Sequence, residues 1–137
     1  MHTLAHGIDL VEVSRIGELL DRHGDRFRER VFTLAELAAA EAKSSKSANR
    51  IIHLAGRFAA KEAVMKALGT GWGQGVGFTD IEILALPNGV PAVTLQGDAL
   101  THATRQGIQS WLLSISHTDT HATASAIALG IPPIPTT

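Results

Sequence analysis

Residues 50–68 read RIIHLAGRFAAKEAVMKAL, and the reading of this stretch decides the fold. Ile51, Ala55, Phe58 and Met65 recur at helical steps, with Leu54 and Leu68 flanking them, so a helix runs from Arg50 to about Leu68. One acid interrupts the stripe. Glu62 follows Phe58 by one turn and precedes Met65, so its carboxylate points toward the core or a cleft at its edge, unless it snorkels out to water. Arg57 and Lys61 share a helix face, and Lys66 lies one turn beyond Glu62. These cations read either as a solvated face with an ion pair or as a strip that can take a diphosphate. Arg offers a planar fork to phosphate, and Lys a point charge.

The second anomalous acid lies upstream. Residues 4–13, LAHGIDLVEV, are apolar on both sides of the alternation, as a buried strand is, and Asp9 sits inside them with Val11 and Val13 on its own face. Burying an isolated charge costs several kcal/mol unless it is paired. An Arg or Lys, a cluster of backbone N–H groups, or a metal ion can each serve as the partner. Two inward carboxylates with no Cys in the chain suit a hard, oxygen-seeking cation such as Mg²⁺.

Between these anchors the chain punctuates itself. Ser14 is placed to cap a helix through Ile16, Leu19 and Leu20 that Gly24 stops, and residues 25–32 form a short helical turn. Thr33 and Glu36 have the capping-box spacing ahead of an Ala-rich helix to about Lys43, and residues 44–49 form a polar loop. After the long helix a glycine-rich loop spans 69–77. It lacks the P-loop pattern and follows a helix rather than a strand, so its glycines end the helix and permit a close backbone approach.

Residues 78–86 and 90–96 form a hairpin across Pro87-Asn88-Gly89, and residues 98–106 a short helix. A second antiparallel pair joins Trp111–His117 to His121–Leu129, leaving a Pro-rich, irregular tail at 130–137. The expected fold is one α+β domain over residues 1–137, an antiparallel sheet packed on a long central helix.

At 137 residues, 45% apolar and 18% charged, the chain is globular, and a net charge of −1 gives no whole-molecule attraction for nucleic acid or anionic membrane. No apolar run approaches the ~20 residues that span a bilayer and no leader is evident, so a cytoplasmic protein with no membrane or nucleic-acid partner is expected. His117 ends the strand WLLSISH, where a histidine reads as an edge residue or as an anion contact, and no histidine spacing suits zinc. Arg15, Arg22 and Arg26 are interleaved with acids, so they are either a self-paired surface or a docking patch for an acidic partner.

Taken in order, the motifs resemble one family. Gly7-Ile-Asp-Leu-Val-Glu-Val-Ser-Arg15 resembles the opening G-[IL]-D-x-x-x-[IV]-x-R of the bacterial holo-[acyl-carrier-protein] synthases, which are short 4′-phosphopantetheinyl transferases. Arg57-Phe-Ala-Ala-Lys-Glu-Ala-Val-Met-Lys66 resembles their F-[AS]-x-K-E-[AS]-x-x-K signature, with Gly69-Thr-Gly71 after it, and Leu113-Ser-Ile-Ser-His-Thr118 resembles their closing S-[IL]-[ST]-H segment. The resemblance covers residues 4 to about 129.

It implies transfer of the phosphopantetheine arm of coenzyme A to a serine of apo-acyl carrier protein, in fatty acid biosynthesis. By motif match, Asp9 and Glu62 hold Mg²⁺, and Lys66 serves both catalysis and coenzyme A binding. Arg57, Lys61, Gly69, Gly71, His117 and Thr118 also contact coenzyme A, and Arg15, Arg22 and Arg26 face the acidic carrier protein. A homotrimer with the site at a subunit boundary is implied too. The alternatives from the residues alone are a non-catalytic coenzyme A or nucleotide binding module, and an assembly protein whose acids form buried ion pairs.

Overall fold

The computed structural model describes residues 1–70 and 75–135. Strand β1 (His2–Glu12) leads directly into helix α1 (Val13–His23), followed by α2 (Asp25–Val31) and α3 (Leu34–Lys43). Helix α4 (Ser47–Leu68) comes next, then a 3-10 turn (Phe78–Asp80), the hairpin β2 (Ile81–Ala85) and β3 (Pro91–Leu95), helix α5 (Gly97–Arg105), and strands β4 (Ile108–His117) and β5 (His121–Gly130). Two antiparallel sheets result: β1-β5-β4, with the first and last strands as neighbours, and β2-β3. Among the described residues no helix is long and apolar enough to cross a membrane.

Local chemistry sets most of the boundaries. Gly24 stops α1 at φ 50, and Gly69 stops α4 at φ 75 in the left-handed region that favours glycine. Thr33 and Glu36 close a reciprocal capping box at the start of α3. Ser14 does not act as the cap of α1. That helix begins one residue earlier, and the Val13 N–H donates instead to the Thr120 carbonyl in the β4–β5 turn. Helix α4 also starts earlier than its apolar stripe suggests, at Ser47, which shortens the polar loop before it.

Helix α4 is buried on nearly every side rather than along one stripe. It lies across the three-stranded sheet, meeting β1 and β5 through small residues. Ala59, Ala60, Ala63 and Ala67 on the helix and Ala122, Ala124, Ala126 and Ala128 on β5 are all buried. Such small side chains let helix and sheet approach closely. The approach is tightest at Gly7 of β1, where a Cβ would collide with the Ala63 carbonyl oxygen and the Ala67 amide. Phe58 stacks on Phe78 at 5.3 Å between ring centroids and extends the core toward α2.

The opposite face of the sheet is bare. Ile8, Leu10 and Leu112 are 59%, 67% and 56% exposed, so β1 is buried on one side only within the single chain. The two-sided burial expected from its sequence therefore has no counterpart inside one subunit.

Candidate functional site

Asp9 lies on the helix-facing side of β1, opposite Ala124 of β5. Its Oδ1 accepts a hydrogen bond from Lys66 Nζ at 3.0 Å, and the same ammonium donates to the Ile8 carbonyl at 2.9 Å. Of the partners open to Asp9 on sequence grounds, this structure supplies a lysine. Asp9 is only 16% exposed while Lys66 is 54% exposed, so the pair sits at the border between the packed β1–α4 contact and solvent.

Glu62 completes the group. Burial raises its carboxyl above the ordinary range, the Asp9 charge raises it further, and Lys66 and Arg15 pull it back. Strand, helix and the first turn of α1 thus bring Asp9, Glu62, Lys66 and Arg15 into one electrostatic neighbourhood. Among the described residues no cluster of three or more His, Cys, Asp or Glu is placed to hold a metal. Two carboxylates that feel each other's charge at the edge of the core nevertheless fit Mg²⁺, which takes one or two protein oxygens and fills its octahedron with water and phosphate oxygens. The mutual electrostatic penalty of Asp9 and Glu62 is what a divalent cation would relieve.

A second group lies toward the other end of α4. Arg57 is half-buried, and burial lowers its guanidinium from the ordinary value while Glu36 opposes the shift. His53, one turn earlier, feels Arg57, Lys43 at the end of α3, and His117 at the end of β4. Gly56 packs against Ile115, which brings this part of α4 onto the strand that ends at His117. About 13 Å of helix axis separate Arg57 from Lys66 at about 1.5 Å per residue. The phosphate-binding candidates therefore fall into two groups along one helix.

Lys61 departs from the expected cationic strip. It is fully buried, and its ammonium donates to Glu36 Oε1 at 2.7 Å, to the Phe78 carbonyl at 2.9 Å and to the Ile81 carbonyl at 2.5 Å. All three of its donors are spent, so in this structure it ties α4 to α3 and the β2 region and offers nothing to a ligand. Glu36, which Lys61 engages, also accepts from the Ile83 amide at 2.8 Å. Its capping role was legible in the sequence, but its ion pair was not.

The remaining candidates divide as follows. Gly69 is exposed at the left-handed end of α4, and Gly71 lies outside the described residues. Thr118 uses its hydroxyl to accept from the amides of Thr120 and His121, shaping the β4–β5 turn beside exposed His117. Arg15 and Arg26 line a cleft of about 720 Å³ floored by Leu19, Phe27, Phe58 and Phe78, and exposed Arg22 stands outside its lining. Among the described residues Arg15, Arg22 and Arg26 make no ion pair, whereas Arg28 pairs with Asp25 at 3.4 Å. The self-paired surface is thus confined to one arginine. Sequence reasoning passed over the aromatic floor of this cleft, and over His53 despite its one-turn spacing from Arg57.

The family model of the 4′-phosphopantetheinyl transferase superfamily matches residues 5–126, a span that includes both groups on α4. The chain belongs to this superfamily. Within it, the chain is 46% identical to the holo-[acyl-carrier-protein] synthase of Solibacter usitatus over 82% of its length and 86% of that relative. It is 48% identical to that of Solidesulfovibrio magneticus, over 90% of this chain and 96% of the other. The crystal structure of Helicobacter pylori holo-[acyl-carrier-protein] synthase in complex with coenzyme A superposes with a TM-score of 0.77. That match has 33% identity and covers 90% of this chain and 99% of that one. The α+β fold, with its long helix, is thereby that of the phosphopantetheinyl transferases.

Proposed function

We propose that this chain is a holo-[acyl-carrier-protein] synthase, moving 4′-phosphopantetheine from coenzyme A to a serine of apo-acyl carrier protein and releasing adenosine 3′,5′-bisphosphate. The observation that carries the reading is the Asp9–Glu62–Lys66 group where β1 meets α4, in a chain that a relative of this name matches at 48% identity over 90% of this chain and 96% of the other. In the reaction the serine oxygen forms a bond to phosphorus, the diphosphate P–O bond breaks, and the hydroxyl proton passes to an acceptor. The barrier falls when the hydroxyl is held in line and charge on the diphosphate is neutralised.

Each residue has a part in that scheme. Asp9 and Glu62 would hold Mg²⁺, which when bound supplies Lewis-acid polarisation and charge neutralisation at the diphosphate. Lys66 already lies against Asp9 and carries a mobile positive charge for a phosphate oxygen or the leaving group. Arg57 and His117 would hold further phosphate oxygens of coenzyme A. Arg15, Arg22 and Arg26 would meet the acidic carrier protein, with the apolar floor of the 720 Å³ cleft receiving one of its side chains.

The bare sheet face and the separation of the two phosphate-binding groups favour a homotrimer. In it, Arg57 and His117 of one subunit would serve the Asp9–Glu62 group of the next. Service in fatty acid biosynthesis is the role proposed for the holo-carrier product.

The test is to incubate the protein with coenzyme A, Mg²⁺ and apo-acyl carrier protein and to weigh the carrier by mass spectrometry. Gain of one phosphopantetheine moiety is expected, and its loss in Asp9→Asn. Coenzyme A binding without any mass gain would instead establish a non-catalytic binding module.

A further inference from the structure

The cleft of about 720 Å³ between α1, α2 and α4 is lined by two kinds of side chain, apolar ones and basic ones. Its volume falls within the roughly 300–1,000 Å³ that small-molecule sites occupy. Three aromatic rings run through it: Phe27 lies 6.5 Å from Phe58, and Phe58 stacks at 5.3 Å on Phe78. Leu19, Val31 and Val76 complete the apolar wall. Arg15 and His23 of α1 and Arg26 and Arg30 of α2 make up the basic part, and all four are exposed. Arg26 and Arg30 are one turn apart and so project from one side of α2. Among the described residues, Arg15, Arg26 and Arg30 enter no ion pair. No acid, hydroxyl or amide side chain among the described residues lines this cleft, although the chain as a whole has a net charge of −1. Asp21 and Asp25 of the same two helices line a different cleft.

That lining excludes most small molecules. A nucleotide or sugar laid on the rings would press hydroxyl and ring-nitrogen groups against hydrocarbon, with no side chain there to bond them. A cation would meet the arginines. A hydrocarbon chain with an anionic head meets neither penalty, because the rings remove its apolar surface from water and the arginine forks match a carboxylate. We propose that this cleft binds a fatty acid anion, with its chain along the Phe27–Phe58–Phe78 rings and its carboxylate at Arg26 and Arg30, and that the bound anion keeps the carrier protein out. The exclusion, though not the binding, rests on the carrier-docking reading above. Charging of the carrier is then slowed whenever free long-chain carboxylates accumulate, and reactions that consume them restore it.

Isothermal titration of the full chain with decanoate, below the concentration at which it forms micelles, tests the site. One site per chain is expected, with affinity rising about fourfold for each methylene added between octanoate and decanoate. Decyltrimethylammonium, with a chain of the same length and a cationic head, should not bind. Arg30→Gln alters an exposed side chain and should weaken decanoate about tenfold, as loss of a hydrogen bond between charged groups implies. Leu19→Asp puts an acid into the wall and should abolish binding, with a thermal melt to show that the variant is folded. In the charging assay, decanoate should raise KM for the apo-carrier and leave kcat and the KM for coenzyme A unchanged. Equal binding of the two ten-carbon amphiphiles, or wild-type affinity in Arg30→Gln, overturns the proposal. Inhibition that coenzyme A relieves and the carrier does not would put the anion in the coenzyme A site and overturns it as well. A chain that charges the carrier and binds no decanoate loses this site alone. One that binds decanoate with this selectivity and never charges the carrier keeps the site and loses the transferase reading, and with it the exclusion.

Discussion

At the scale of single residues, Glu62 carries a tension that metal would relieve. Its folded-state pKa is raised by burial first and by Asp9 second, so the native state holds its proton more tightly than the unfolded chain does. The stability this contributes is full below the ordinary carboxyl pKa and is lost as pH rises through the raised value. Thermal melts without metal should therefore show stability falling from mildly acidic to neutral pH. Glu62→Gln should flatten that fall and melt higher than wild type at neutral pH, while carrier charging measured by mass spectrometry is abolished. A Glu62→Gln protein that melts lower at neutral pH would mean the carboxylate is a net stabiliser and not a site held at a cost. Gly7 matters at the same scale for its lack of a side chain. Gly7→Ala must push β1 off α4, because a Cβ meets backbone atoms that cannot step aside. Overpacking of this kind costs about 1–3 kcal/mol, and Gly7→Ala should lose carrier-charging activity well beyond its loss of folded protein, because Asp9 lies on the displaced strand.

At the scale of elements, the pair Lys61–Glu36 fastens α4 to α3, and through Phe78 and Ile81 to the segment that begins β2. Removing one partner leaves the other charged and buried, which typically costs about 3–5 kcal/mol. Lys61→Met should show this loss in chemical denaturation, while the remaining folded protein binds coenzyme A with unchanged affinity. A large affinity loss at unaltered stability would restore Lys61 to the ligand site. The element pattern itself was largely readable, since Gly24, Thr33–Glu36, Gly69 and Asn88-Gly89 mark ends and turns by local chemistry. Lys61 was misplaced because the one-turn spacing from Arg57 fixes a face only when a helix has a wet one, and α4 is buried nearly all round. The partners of Lys61 come from other elements, and no local pattern announces them. His53 and the pairing of β1 with β5 were hidden for the same reason, because both depend on contacts between segments far apart in the chain. Asp9 and Glu62 stood out because a carboxylate on an apolar face is anomalous in the sequence itself.

At the scale of the whole molecule, one face of the β1-β5-β4 sheet exposes Ile8, Leu10 and Leu112, and the two groups proposed to bind phosphate sit apart along α4. Light scattering should report a trimer, and Leu10→Glu should shift it toward monomers with loss of carrier charging. A fully active monomer would remove the shared site. The spacing along α4 also bears on inheritance. Asp9→Asn and Arg57→Ala would each be a null allele alone, yet a cell carrying both would build mixed rings. Roughly a quarter of the junctions in such rings would join an intact Asp9 to an intact Arg57 under random assembly. Two inactivating lesions would then complement one another within a single gene, which makes the geometry of one helix readable as a genetic cross.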